Sequence, residues 1–268
     1  MMLAMSSDEY LYSVEDHIAT ITLNRPDSLN SLTFDLYRSL RDRFVALQED
    51  ASVKVVMLTG QGRGFCSGGS VHEIIAPLLE MDATARLGFT RLTGELILAI
   101  RKLRKPVIAA LNGICVGAGA VMALACDFRI TSTDAKIAFL FVKVGLAGAD
   151  MGAAWLLPQM VGLGRATDLL LRGEKVTADE ALQMGLVHRV VPKAEVLSVA
   201  RQLALELSHG PTFALGMTKE MLNREPTLSL ESALEAEAQA QQICMATQDF
   251  REAKNAFIEK RTPRFFGQ

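Results

Sequence analysis

Two stretches of small residues are where this backbone could itself do chemistry. One is Gly60-Gln61-Gly62-Arg63-Gly64-Phe65-Cys66-Ser67-Gly68-Gly69, the other Gly117-Ala118-Gly119-Ala120. A main-chain N–H stabilises charge developing on an oxygen only where the chain can come close to it, which small residues permit and large side chains prevent. The second stretch leads into Val121 to Ala125, so its N–H groups would open a helix, where unpaired donors and the helix dipole favour an anion. The chemistry implied is an oxyanion hole. Glycines that merely make turns are the plainer reading of either stretch alone. A dinucleotide-binding loop fits less well, because it needs G-x-G-x-x-G after the first strand, and these loops lie deep in the chain with other spacing. Gly69-Ser70-Val71-His72 does not supply the G-x-S-x-G turn of a serine hydrolase either.

Strand and helix patterns place the two loops alike. Tyr10 to Val14 and His17 to Leu23 read as strands, the second with Ala19, Ile21 and Leu23 alternating with Thr20 and Thr22. Thr33 then caps a helix carrying Leu36, Leu40, Phe44 and Leu47 on one face. Lys54 to Thr59 is a buried strand feeding the first loop. A helix through Leu96 to Leu103, a stop at Lys105-Pro106 and a strand at Val107 to Leu111 feed the second. Strands are expected at Phe128 to Thr131, Lys136 to Phe139 and Leu186 to Val191, and helices from about Asp150 to Met160 and Arg165 to Leu171. Thr177-Ala-Asp-Glu180 is a capping box. Helices should follow from Ala194 to Leu207, Pro211 to Asn223, Ser229 to about Thr247 and Asp249 to Lys260. The fold class is α/β, expected as a core over residues 1–195 and a docked helical subdomain over 196–268.

Composition excludes several other functions. The 268 residues carry 28 Lys plus Arg and 30 Asp plus Glu, a net charge of −2, which gives no general attraction to nucleic acid or anionic lipid. Arg38, Arg41 and Arg43 are interrupted by Asp42, so no basic face dominates their helix. No apolar run reaches the roughly 20 residues of a membrane span. Met1 to Ser13 has no basic leader region, so a cytoplasmic location is expected. Cys66, Cys115, Cys126 and Cys244 lack metal-ligand spacing and read as reduced small hydrophobes, so no metal is expected.

Taken in order, Leu23-Asn24-Arg25-Pro26, Leu29-Asn30-Ser31-Leu32, Gly64-Phe65-Cys66-Ser67-Gly68-Gly69, Asn112-Gly113 through Gly119, Cys126-Asp127-Phe128-Arg129-Ile130, Leu157-Pro158, Val191-Pro192 and Ala256-Phe257-Ile258-Glu259-Lys260-Arg261 resemble the crotonase (enoyl-CoA hydratase/isomerase) superfamily. The resemblance spans almost the whole chain. It implies a spiral of ββα repeats, trimers or hexamers, and an acyl-CoA substrate with no further cofactor. Its thioester oxygen would sit between two backbone N–H groups, matched here to Ser67 and Ala118. Coenzyme A would lie along Ser28 and Leu29 and the loop glycines Gly68 and Gly69, with Phe257 and Lys260 near its adenine and phosphates.

The resemblance also implies a departure. Classical hydratases of the family use two glutamates, matched here by Val121 and Phe141, and water addition needs groups that activate water and protonate carbon. Asp150, in Gly145-Leu146-Ala147-Gly148-Ala149-Asp150, matches a carboxylate used by related isomerases, in a segment that is one residue longer. Asp150 equally suits a helix N-cap. If it lies among Val121, Phe141 and Trp155, desolvation would raise its pKa. One carboxylate suffices to move a double bond. Double-bond isomerisation is therefore expected over classical hydration, with a non-classical hydratase or a degenerate acyl-CoA-binding subunit as alternatives. His72 and Glu73, adjacent on a helix, cannot both face a site and are expected on the surface. Ser70 is expected to affect how the loop is held, His17, His188 and His209 to be structural, and Met151 and Trp155 to pack or line an acyl pocket.

Overall fold

The computed structural model describes residues 9–267. The segment Met1 to Ser13, read above for a leader, falls largely outside them. The chain runs β1 (Tyr10–Glu15), β2 (Ile18–Leu23), α1 (Phe34–Leu47), β3 (Val55–Gly60), β4 (Gly64–Cys66), α2 (Ala76–Glu80), α3 (Ala83–Lys102), β5 (Val107–Leu111), β6 (Ile114–Val116), α4 (Ala118–Ala125), β7 (Phe128–Ser132) and β8 (Lys136–Ala138). It continues α5 (Ala153–Val161), α6 (Leu163–Arg172), β9 (Val176–Thr177), α7 (Ala178–Gln183), β10 (Arg189–Val191), α8 (Val196–Ser208), α9 (Thr212–Arg224), α10 (Leu230–Met245) and α11 (Gln248–Glu259).

Each turn of the spiral gives one strand to each of two sheets. The larger has the order β1-β2-β3-β5-β7-β10 and the smaller β4-β6-β8-β9. Beyond the antiparallel β1–β2 pair the larger sheet is parallel, and β3 and β5 are buried along their whole lengths. That explains their unbroken apolar runs, since helices cover both faces of such a sheet. Because β4 pairs with β6 in parallel, the loops that leave these two strands emerge side by side. This is the crotonase-type architecture, with a helical C-terminal region.

The packing moves the expected domain boundary. Val196, Ala200 and Ala204 of α8 form a cluster with Ile18, Val55, Met57, Ile108, Ala110 and Ile130 of the sheet, so α8 closes the core and the helical arm begins after it. In the arm, buried Lys219 of α9 reaches Asp127 at 2.7 Å, tying that helix to the start of β7. Past α9 the surface is unusually apolar, with Phe250, Phe257, Ile258 and Phe266 exposed.

Several element ends differ from expectation for local reasons. The strand expected from Leu186 starts only at Arg189, because the Leu186 and Val187 N–H groups donate to Ala181 O and finish α7. The helix expected from Asp150 starts at Ala153, because Met151 (φ 51°) and Gly152 (φ 88°) are both left-handed and cannot lie in an α-helix. Asp150 is therefore not an N-cap; Gly152 takes that position. Thr33 and the Thr177–Glu180 capping box cap α1 and α7 as the sequence predicts, and Ser229, expected as the first residue of its helix, caps α10 instead.

Candidate active site

Two asparagines tie the first loop to its strands. Asn30 Nδ2 donates to Gln61 O at 2.9 Å and Gly64 O at 2.8 Å, while Asn112 Nδ2 donates to Gly60 O at 2.8 Å and Gly62 O at 3.1 Å. Left-handed Leu29 and Asn30 turn the chain beside this loop, and the Ser67 hydroxyl donates to Ser28 O at 3.0 Å. Ser28 and Leu29 are thus bound directly to the loop that the sequence placed next to them in function.

Ser67 is corrected as an oxyanion donor. Its N–H donates to Leu29 O at 3.0 Å, so it is spent on the turn that precedes α1. The pair of bonds Leu32 N to Gly68 O (2.8 Å) and Ser70 N to Leu32 O (2.9 Å) bridges Leu32 to Gly69 and turns the Gly69 N–H to the opposite side. Among the described residues that N–H has no acceptor. Neither does the N–H of Ala118, the first residue of α4 after an N-cap, Gly117, that offers no side chain. The two loops meet backbone to backbone here: a side chain at Gly68 would come within 3.5 Å of Ala118 N and 3.6 Å of the Gly117 Cα.

α4 is built to present that N-terminus. All eight of its residues are buried and none is polar, so its end groups need partners from outside. At its C-terminus, Arg129 Nη1 donates to Ala123 O and Cys126 O, placing a cation on the negative end of the dipole. Burial lowers the Arg129 pKa to about 10, which leaves it charged near neutral pH. At its N-terminus, Gly119 lets the helix rest on Cys66 with no room for a methyl group.

Asp150 ends the segment that leads into α5. Its carboxylate accepts from Met151 N at 2.9 Å, its carbonyl from Ala153 N at 2.8 Å, and the side chain is half-buried. Desolvation raises its pKa above the usual carboxylate value, against the lowering effect of the Met151 bond. The link to the first loop is Tyr37 of α1, whose buried hydroxyl is pushed well above the usual phenol value, by desolvation first and then by the neighbouring Cys66 and Asp150. The Tyr37 hydroxyl approaches Met151, the residue after Asp150, at 4.0 Å from its Sδ. Val121 and Phe141 are buried apolar residues.

The remaining candidates lie elsewhere. His72 and Glu73 are exposed, and Glu73 pairs with Arg25 at 2.5 Å. Ser70 caps the turn after the loop by accepting from Glu73 N at 3.2 Å, the loop-holding part expected of it. Phe257, 86% exposed, and Lys260 sit at the end of α11, and neither side chain makes a hydrogen bond or ion pair to the loops among the described residues. Arg38 and Arg41 are held in ion pairs with Asp35, Asp42 and Glu95, and Arg43 stacks on Tyr12, so that helix offers no free basic face. Sequence reasoning placed Gly69 along coenzyme A but gave the oxyanion role to Ser67, and it did not single out Tyr37. The doubled glycine was the available signal for the first; for the second there was only an aromatic residue on a core-facing helix.

Comparison with known proteins decides the family. The family described as enoyl-CoA hydratase/isomerase matches residues 13–268. The chain belongs to the enoyl-CoA hydratase/isomerase family. Among relatives of this family, it is 36% identical over 261 residues to a 1,2-epoxyphenylacetyl-CoA isomerase of Escherichia coli, covering 97% of this chain and 99% of the other. It is 32% identical over 258 residues to a short-chain-enoyl-CoA hydratase of Clostridium acetobutylicum, covering 96% and 97%. A solved structure of a putative enoyl-CoA hydratase from Streptomyces coelicolor superposes with a TM-score of 0.95 at 44% identity, covering 100% of both chains. The relatives of this chain thus include one named as an isomerase of an epoxyphenylacetyl-CoA and one named as an enoyl-CoA hydratase.

Proposed function

We propose that this enzyme moves a carbon–carbon double bond in an enoyl-CoA thioester, through an enolate whose oxygen is held by the Gly69 and Ala118 N–H groups. Asp150 takes a proton from the α-carbon of a β,γ-enoyl thioester. The electron pair delocalises onto the thioester oxygen as a dienolate, and the same carboxyl returns the proton to the γ-carbon, leaving the α,β double bond. Because the dienolate oxygen carries charge that the ground state lacks, fixed donors aimed at it lower the barrier rather than merely tighten binding.

The observation that carries this reading is the state of Asp150: a half-buried carboxyl with one hydrogen bond and a pKa raised by desolvation. A base with an ordinary carboxylate pKa would be poorly matched to a carbon acid, and a raised one is better matched. Buried Val121 and Phe141 offer nothing to activate water. Hydration remains the rival, supported by the hydratase named among the relatives. Coenzyme A would follow Ser28, Leu29 and the loop glycines, and Phe257 and Lys260 would reach it from a second copy of the chain in a trimer or hexamer, where the exposed apolar arm would be covered.

Incubation with 3-enoyl-CoA and 2-enoyl-CoA separates the readings. Isomerisation gives conjugated-thioester absorbance at unchanged product mass, and hydration adds the mass of one water. An Asp150→Asn variant with undiminished turnover would remove Asp150 from the mechanism.

A further inference from the structure

Resting on the proposed role of Asp150, we propose that Tyr37 is a positioning residue for that carboxylate, acting through Met151. Tyr37 is 2% exposed, and its hydroxyl lies 4.0 Å from Met151 Sδ, its one hydrogen-bond contact among the described residues. A buried phenol with only a thioether for company is poorly satisfied, and evolution has a cheaper residue, Phe, for filling space. The ring is fixed independently: it stands edge-on to Phe89 at 5.5 Å and 82°, and Phe89 stands edge-on to Phe34 at 4.9 Å and 80°. The hydroxyl therefore ends a rigid aromatic post.

What the post meets is strained. Met151 has φ 51° and is 6% exposed, and a non-glycine residue is strained in the left-handed region and persists there only where its surroundings impose it. The same residue donates its N–H to Asp150 Oδ1 at 2.9 Å, so its backbone orientation sets the direction of the carboxylate. Gly152 follows with φ 88°, and Ala153 N closes the turn on Asp150 O at 2.8 Å. Tyr37 presses on the one side chain whose conformation this turn has to pay for. If Met151 relaxes toward an ordinary backbone, its N–H swings away and the carboxylate loses its aim. Desolvation first, then Cys66 of the first loop and Asp150, push the Tyr37 phenol well above its usual pKa.

Tyr37→Phe tests this, because it keeps the ring and its contacts and removes the oxygen alone. With 3-enoyl-CoA, kcat should fall roughly 10- to 100-fold, the penalty of a misaimed group, while KM stays near wild type, since no binding contact is lost. The melting temperature should change little. In an Asp150→Asn background the same substitution should cause no further loss, because the group being aimed is gone. Wild-type kcat in Tyr37→Phe overturns the proposal, as does an equal further loss on top of Asp150→Asn, which would show that Tyr37 acts independently. If Asp150→Asn alone keeps wild-type turnover, the base assignment falls and this inference falls with it. If Asp150→Asn is inactive and Tyr37→Phe is unimpaired, only the inference falls.

Discussion

Replacing Gly119 with Ala sets two physical effects against each other. An alanine inside a helix is favoured over glycine by about 1 kcal/mol, so propensity alone makes Gly119→Ala stabilising. The structure predicts the opposite. A Cβ at 119 would sit 2.6 Å from both the Cβ and the carbonyl oxygen of Cys66, and 3.0 Å from its sulfur. The carbonyl belongs to β4 and cannot rotate aside, so α4 must move by roughly 1 Å to reach ordinary contact. Overpacking of this kind costs about 1–3 kcal/mol, which exceeds the propensity gain and leaves the variant less stable by about 1 kcal/mol. The movement also carries the adjacent Ala118 N–H away from the first loop. Misplacing or losing one oxyanion donor costs about 10²-fold in kcat, or roughly 2.7 kcal/mol. Urea unfolding measures the first effect and isomerisation of 3-enoyl-CoA the second. Gly88→Ala in α3 is the control, because nothing lies within 4 Å of a Cβ there. That variant should gain up to about 1 kcal/mol and keep its kcat. A Gly119→Ala protein that is more stable than wild type and fully active would refute the claim that α4 and the first loop are held at contact distance.

Other perturbations test the surroundings. Because desolvation raises the Asp150 pKa, the acid limb of kcat/KM should lie above the ordinary carboxylate range. The same shift means the folded state binds this proton more tightly than the unfolded state, so ionised Asp150 costs stability above its folded pKa, and Asp150→Asn should raise the melting temperature at pH 7. His188 behaves with the opposite sign for acidification: burial first, then Arg129, lowers its pKa to about 4, and its Nδ1 accepts from Arg129 N at 3.1 Å. Between the ordinary imidazole value of 6.5 and about 4 the unfolded chain binds more protons, so stability should fall as pH drops through that window, and His188→Gln should flatten the fall in pH-dependent melting. Lys219→Met should destabilise by about 3 kcal/mol in urea unfolding, by leaving Asp127 without its cation, while KM for the thioester stays unchanged.

How far the sequence could be read depended on where side chains decide the outcome. Strands β3 and β5 and the caps at Thr33 and Thr177 were legible because burial and capping act on side-chain type at fixed spacing. The length of α3 was not: its first half, from Ala83 to Arg91, is almost wholly exposed, so no apolar stripe marks it, and only the buried end from Leu96 could be read. Asp150 read equally as a catalytic carboxylate or a helix N-cap, and the cap reading fails, since nothing in a Met side chain announces the left-handed backbone that delays α5 to Ala153.

The oxyanion donor shows the limit most sharply. Both loops were legible from composition, because small residues are required wherever a backbone approaches a ligand. Which N–H of a loop points inward depends instead on the direction of each peptide plane, and direction is set by the bonds the neighbouring peptides make. Ser67 gives its N–H to Leu29 O, and Leu32 then takes Gly68 O and Ser70 N, which leaves the Gly69 N–H as the one turned outward from this bridge. Those partners lie some forty residues away, and the Asn30 and Asn112 bonds that hold them in place are equally remote. A reading of residue types can therefore find a loop whose backbone could approach a ligand, while which N–H it presents is a property of tertiary hydrogen bonding. The direction of the Ala118 N–H carries no such ambiguity, because Ala118 begins a helix and the direction follows from the helix itself.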